Sequence, residues 1–195
     1  MVLDEVIKKT ILTTLAAIGA LLLFTIAGLC AFFPSTSMEL AYDLGMESSC
    51  IHFAERSYKS SKDVYFIAYA TEVAIEENNT DKIVSCGEKF IADDDFDKYC
   101  AAKGDRYALI VYRQVCVSKY EKGEKDGAVA LAYNSLNGAF PSGNALVAVA
   151  FSALKAQDTQ VLADIIEKMN EIEVDGADGV YLEEIKGALI ASGNL

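Results

Sequence analysis

The chain contains no tryptophan, a single histidine (His52) and only two prolines (Pro34 and Pro141). Its five cysteines are isolated, with no CxxC pair. One imidazole and scattered thiols do not assemble the four-ligand spacing of a zinc site. HExxH, GxSxG, GxGxxG and the Walker glycine loop are all absent. The signatures of zinc proteases, serine hydrolases, dinucleotide binding and P-loop phosphoryl transfer are therefore missing. Basic residues are scarce too: 17 Lys and Arg stand against 29 Asp and Glu, for a formal net charge of −12. A surface of that sign repels phosphate backbones and anionic lipid heads, so no nucleic-acid partner is expected.

One long run has no charge at all. Residues 10–33, TILTTLAAIGALLLFTIAGLCAFF, end against Pro34. At about 1.5 Å per helical residue the run reaches roughly 36 Å, enough to cross a hydrocarbon core of about 30 Å. Only Thr10, Thr13, Thr14 and Thr25 interrupt it, and a threonine hydroxyl can return to the helix backbone inside lipid. A core helix of a soluble protein would keep one polar stripe. Signal-peptide apolar cores are about 7–15 residues long and end at small residues, whereas this run is longer and ends in Phe32-Phe33-Pro34. Leu29 before Cys30 departs from the small residue that precedes a lipoprotein cysteine. The expectation is an uncleaved transmembrane helix over 10–33, with 1–9 as a short cytoplasmic tail. Lys8 and Lys9 precede the span, and Glu39, Asp43, Glu47 and Glu55 follow before the first basic residue, Arg56. That bias predicts a cell-membrane protein with its N-terminus in the cytoplasm and residues 35–195 outside. Ala16/Ala20 and Ala27/Ala31 have small-xxx-small spacing, which permits homodimerisation of the span.

Residues 35–195 are enough for one domain with a real core. Removing Asp4, Glu5, Lys8 and Lys9 leaves it 15 basic and 27 acidic residues, and so the whole net charge. Its hydrophobic pattern is helical throughout, with no sustained alternation of period two. Thr36-Ser37-Met38-Glu39 matches a capping box and predicts a helix start, with Gly45 as the stop. Ser48 or Ser49 opens the next helix, carrying Ile51, Ala54 and Tyr58 on one face. Asp63 caps a third with Val64, Ile67, Ala68, Thr71, Ala74 and Ile75 in register. Asn78-Asn79-Thr80, formally also a glycosylation acceptor, breaks the pattern before Ile83, Val84, Gly87, Phe90 and Ile91. A short helix ends near Gly104, another runs from Asp105 to about Tyr120, and Ala128–Leu136 forms a small-residue helix. Ser142 or Asn144 begins one with Leu146, Val149, Ala150, Ala153 and Leu154. Asp158 caps one that buries Val161, Leu162, Ile165, Ile166, Met169 and Ile172. Residues 175–179 read as a loop before a closing helix with Tyr181, Leu182, Ile185, Ala188 and Leu189. The fold class is all-α.

An internal echo runs through these helices. Ile51-His52-Phe53-Ala54-Glu55-Arg56 aligns with Val84-Ser85-Cys86-Gly87-Glu88-Lys89 at a spacing of 33 residues. The spacing is close to the 34 residues of the tetratricopeptide repeat, and Ala54 and Tyr58 are similar to that family's small and aromatic positions in a second helix. The Leu-Gly and Tyr pattern of the first helix is not matched, Ala41-Tyr42 and Gly45 standing there instead. Residues 35–172 resemble a degenerate tetratricopeptide-like α-solenoid of helical hairpins, with an irregular helical bundle as the alternative. The resemblance implies a scaffold that binds a protein or peptide partner.

Candidate chemistry is thin. His52 shares its helix with Glu55 and Arg56, and Cys50 two residues away points elsewhere, so a helix histidine is expected in place of a catalytic base. Asp93, Asp95 and Asp97 alternate like a calcium loop, but Lys98 replaces its glycine and Gly104 its twelfth-position Glu. No metal or other cofactor and no catalytic residue is expected. The best binding candidate is a stripe of Tyr65, Tyr69, Glu72 and Glu76, at i, i+4, i+7 and i+11 on one helix. Tyrosine joins apolar area to a polar tip, the profile of an interface anchor, while packing on a neighbouring helix is the alternative use. The expected function is a membrane-anchored scaffold or adaptor, with a structural subunit of a membrane assembly, or an enzyme using acidic residues, as alternatives.

Overall fold

A computed structural model describes residues 2–171 and 176–191, and every regular element among them is helical. α1 spans Val2–Phe32, and α2, Pro34–Asp43, follows after one residue. Then come α3 (Glu47–Ser61), α4 (Val64–Glu76), α5 (Thr80–Ile91), α6 (Phe96–Lys103), α7 (Asp105–Glu121) and α8 (Lys125–Asn134). A single 3-10 turn at Ser135–Asn137 leads to α9 (Asn144–Lys155), α10 (Thr159–Glu171) and α11 (Gly176–Ala191).

None of the apolar stretch Ile7–Leu29 within α1 is buried against the rest of the protein. Leu12, Leu21, Leu23 and Phe24 each leave two thirds or more of their surface open. This removes the reading of α1 as the core helix of a soluble fold. Its threonines satisfy themselves along the helix: Thr14 Oγ1 donates to the Thr10 carbonyl and Thr25 Oγ1 to the Leu21 carbonyl, both at 2.9 Å.

The capping box predicted at Thr36 does not form. Pro34 is the first residue of α2, after Phe33, whose side chain makes no cap hydrogen bond. A proline at the first helical position has its φ preset and no N–H to satisfy, so it starts the helix two residues before threonine could. α3 also starts early, at Glu47. The other predicted caps hold. Asp63 accepts from the Tyr65 amide at 3.0 Å and Asp158 from the Val161 amide at 3.3 Å, while Asn79 accepts from the Lys82 amide at 3.2 Å. The stretch 175–179, read as a loop, is helical from Gly176 onward. Asp178 sits in that first turn and accepts from Ser142 Oγ at 3.1 Å, a partner 36 residues away that local sequence does not reveal. Asp175 and Ile172 lie outside the described residues, as do the side chains of Met169 and Leu189.

Short turns fold α2 on α3, α3 on α4, α4 on α5, α5 on α7, α7 on α8 and α9, and α9 on α10. The burial forms two clusters. One gathers Met38, Ile51, Ile67, Cys86, Phe90 and Phe96 with Ala108, Val111 and Val115 of α7. The other gathers Leu146, Val149, Leu162, Ile165, Leu182 and Ile185 with Cys116 and Tyr120 of α7. Residues 108, 111 and 115 fall on one face of α7 and 116 and 120 on another, so this helix serves both cores. Cys50, Cys86, Cys100 and Cys116 are buried free thiols, not disulfides.

Candidate functional site

The predicted stripe on α4 divides between exposure and packing. Tyr65 is 42% exposed and tilts against Tyr69, with ring centroids 6.0 Å apart. Tyr69 is half-buried, edge-on to Tyr42 of α2 at 5.8 Å. Burial, with the neighbouring Cys50, Tyr42 and Tyr65, pushes its phenol well above the ordinary range. Glu72 is drawn into the fold by the Tyr107 hydroxyl, which donates to its Oε1 at 2.6 Å, and by Lys103 Nζ at 3.4 Å. Glu76 at the end of the stripe is exposed. The two ends of the stripe, Tyr65 and Glu76, are therefore open to solvent, while Tyr69 and Glu72 between them are engaged by neighbouring helices.

Sequence reasoning missed how far the aromatic surface extends. Tyr99 of α6 lies 6.0 Å from Tyr107 of α7, and the Lys103 ammonium sits 5.6 Å from one ring and 5.8 Å from the other. Burial, followed by the hydrogen bond to Glu72, raises the Tyr107 phenol far above its ordinary value, so it stays a protonated donor. Tyr65 is close enough to Tyr99 to weigh on its ionisation. Tyr42, Tyr69 and Tyr65 form one run of ring contacts across α2 and α4, and Glu72 links it to the Tyr99–Tyr107 pair of α6 and α7, whose rings also pack on the core. The i, i+4 spacing on α4 was visible in sequence, but the contributions of α2, α6 and α7 depend on tertiary packing.

His52 is an exposed residue of α3, and Cys50 is buried on another face. Desolvation raises the Cys50 thiol despite a hydrogen bond with Tyr69, which suits a packing residue better than a nucleophile. Asp93 accepts from the Tyr58 hydroxyl at 2.7 Å and from the Asp95 amide at 3.0 Å, so it ties α3 to the loop after α5. That bond to Asp93, ahead of burial, lifts the Tyr58 phenol to about 12. Among the described residues, no three His, Cys, Asp or Glu side chains converge as a metal cluster.

A cavity of about 590 Å³ opens beside α3, lined by His52, Glu55, Arg56, Lys59, Lys62 and Lys89 with Tyr58 and Ile67. Its basic character contrasts with the acidic chain around it. Arg56 and Lys89, the basic positions equated by the 33-residue echo, meet at this one opening. Partial burial of Glu55 raises its pKa, but hydrogen bonds from Lys82 at 2.6 Å and Lys89 at 2.7 Å outweigh that and hold it below its ordinary value. The sequence signal was the basic series 56, 59 and 62, two residues in the last turns of α3 and a third just past its end.

Comparison with protein-family models, with curated proteins and with solved structures returns no match.

Proposed function

We propose that this chain is a single-pass membrane protein whose helical domain serves as a scaffold for a protein or peptide partner. The observation that carries the reading is a linked tyrosine cluster in which Tyr42 and Tyr65 are exposed and Tyr69, Tyr99 and Tyr107 back them from the core. It joins large, rigid, amphipathic rings to a partly exposed Glu72–Lys103 pair. Aromatic rings lose little rotamer freedom on binding and bury much area, the character of interface hot spots.

An α-solenoid is the architecture best suited to such a surface. Polar side-chain ties between helices about one hairpin apart recur along the chain, from Lys82–Glu55 at 27 residues through Tyr58–Asp93 and Tyr107–Glu72 at 35 to Tyr120–Asp158 at 38. A stack of similar units produces ties of that kind, because each unit meets only its neighbours.

The unburied α1 supports retention of the span as an anchor. Lys8 and Lys9 before it favour a cytoplasmic N-terminus, with the domain outside the cytoplasmic membrane. A structural-subunit role has its own support in the exposed apolar group Phe151, Leu154, Val180 and Tyr181, where the Phe151 and Tyr181 rings lie 6.2 Å apart.

Affinity purification of the full chain from detergent-solubilised membranes tests both readings. A scaffold retains a specific partner that is lost in Tyr65→Ala and kept in Phe151→Ala, whereas a subunit gives the reverse. Recovery of the chain alone from all three preparations would refute both.

A further inference from the structure

The basic cavity on α3 lies at the end of the domain joined to the span. α2 begins at Pro34, directly after α1, and its 10 residues rise about 15 Å before the turn at Leu44–Met46. α3 returns beside it over 15 residues, or about 22 Å, so its last turns reach past the level of Pro34. α4 departs again and α5 returns, which brings Lys89 in the last turn of α5 to the same end. The Tyr58–Asp93 hydrogen bond of 2.7 Å fixes the two returning helices at one level. Arg56, Lys59, Lys62 and Lys89 thus lie at the end of the helical domain that carries Pro34, where the chain leaves α1.

We propose that this cavity binds the phosphate-bearing headgroup of an anionic membrane lipid, an inference that rests on α1 being a retained anchor. Arg56, Lys59, Lys62 and Lys89 line the opening with one carboxylate, Glu55, which Lys82 and Lys89 engage, so the charge left for a ligand is carried by Lys59 and Lys62; Asp94 lies close enough to act on Tyr58 at the rim. Asp93 at the edge is held by Tyr58. Among the described residues Lys59 and Lys62 join no ion pair, and the Lys62 ammonium lies 5.5 Å from the centre of the Tyr58 ring. Cations attract an anionic headgroup locally even when the protein as a whole is acidic, because screening confines the field of the remaining charges to about one Debye length, roughly 8 Å at physiological salt. A cavity of about 590 Å³ accommodates a glycerophosphate headgroup. The lipid then fixes the rotation of the domain about its span and turns a defined face toward a partner.

The test uses the full chain reconstituted with equimolar phosphatidylglycerol and phosphatidylcholine, extracted in mild detergent and analysed for retained lipid by native mass spectrometry. Wild type is expected to retain phosphatidylglycerol selectively. The double variant Lys59→Gln/Lys62→Gln, altered only at exposed positions, should lose that retention by roughly thirtyfold, while Lys125→Gln, at a distant ion pair, should keep it. Equal retention in the double variant overturns the proposal. Inorganic phosphate binding as tightly as phosphatidylglycerol, in chain held in pure phosphatidylcholine, assigns the cavity to a soluble anion and also overturns it. A chain that stays soluble without lipid or detergent refutes the anchor, a result distinct from failure of the cavity.

Discussion

Gly87 of α5 packs so closely on Val115 of α7 that a β-carbon at position 87 would overlap Val115 Cγ2. Both residues belong to the buried interface between the two helices, and the 33-residue echo places the buried Ala54 of α3 at the equivalent position. Small side chains at matched positions let successive hairpins approach, the use that the repeat resemblance implies for them. Gly87→Ala gains up to about 1 kcal/mol of helix propensity, but overpacking against a branched side chain costs about 1–3 kcal/mol. Net destabilisation is expected. Gly187→Ala on α11, where nothing lies within 4 Å of the new methyl group, should stabilise by up to about 1 kcal/mol. Thermal melts of both variants in detergent check the opposite signs; a stabilised Gly87→Ala would mean that α5 and α7 do not touch there.

Asp158 links three elements: it caps α10 and accepts from Tyr120 and Lys125. The Lys125 hydrogen bond, against the opposing effect of burial, holds its carboxyl below the ordinary value. A depressed carboxyl stabilises the fold above its unfolded-state value of about 3.9, and that contribution disappears as pH falls through the lower folded-state value. Asp158→Asn keeps a good capping side chain but removes the charge. It should cost about 1 kcal/mol at pH 7, since Lys125 is half exposed and screened. The gap to wild type should close below about pH 4. Melting temperatures measured from pH 7 to pH 3 test this, and a gap constant with pH would exclude the charged interaction.

The thiols of the helical domain should be inert in the native protein. Burial pushes Cys86 up to about 11 and Cys100 and Cys116 to about 12, and it raises Cys50 as well. Thiolate is the reactive species, so almost none is present at neutral pH. Iodoacetamide labelling followed by peptide mass spectrometry should find these four cysteines unmodified until guanidinium is added. Rapid labelling of any one of them at pH 7 would contradict its placement in the core.

Ser57 carries a buried hydroxyl with no hydrogen-bond partner among the described residues. Burial of an unsatisfied polar group costs about 1–3 kcal/mol. Ser57→Ala is therefore expected to raise stability by about 1 kcal/mol, read as a higher denaturant midpoint at unchanged slope. A lower midpoint would show that the hydroxyl is engaged.

Local signals were legible where their partners lie within one turn of helix. Asp63, Asn79 and Asp158 read correctly as helix starts or breaks because each bonds an amide two or three residues ahead. Thr36 misled because Pro34 starts the helix first. The loop expected at 175–179 gave way to helix from Gly176, where Asp178 gains a partner from the distant Ser142. Tyr65 and Tyr69 were found together through spacing. Their division into an exposed ring and a packed one depends on Tyr42, which periodicity within α4 does not reveal. The basic cavity escaped notice because net charge averages over the chain, whereas Arg56 and Lys89 become neighbours only when helices of successive hairpins stand side by side.

α7 has no solvent-facing half to spare along much of its length, since it supplies a wall to each of two separate interiors. Neither half of the domain can melt without stripping a greasy flank from this shared beam. Heat or denaturant should therefore dissolve both halves in a single step, despite their modular order along the chain. A truncation ending at Gly123 would leave Cys116 and Tyr120 bare and drive such fragments to clump.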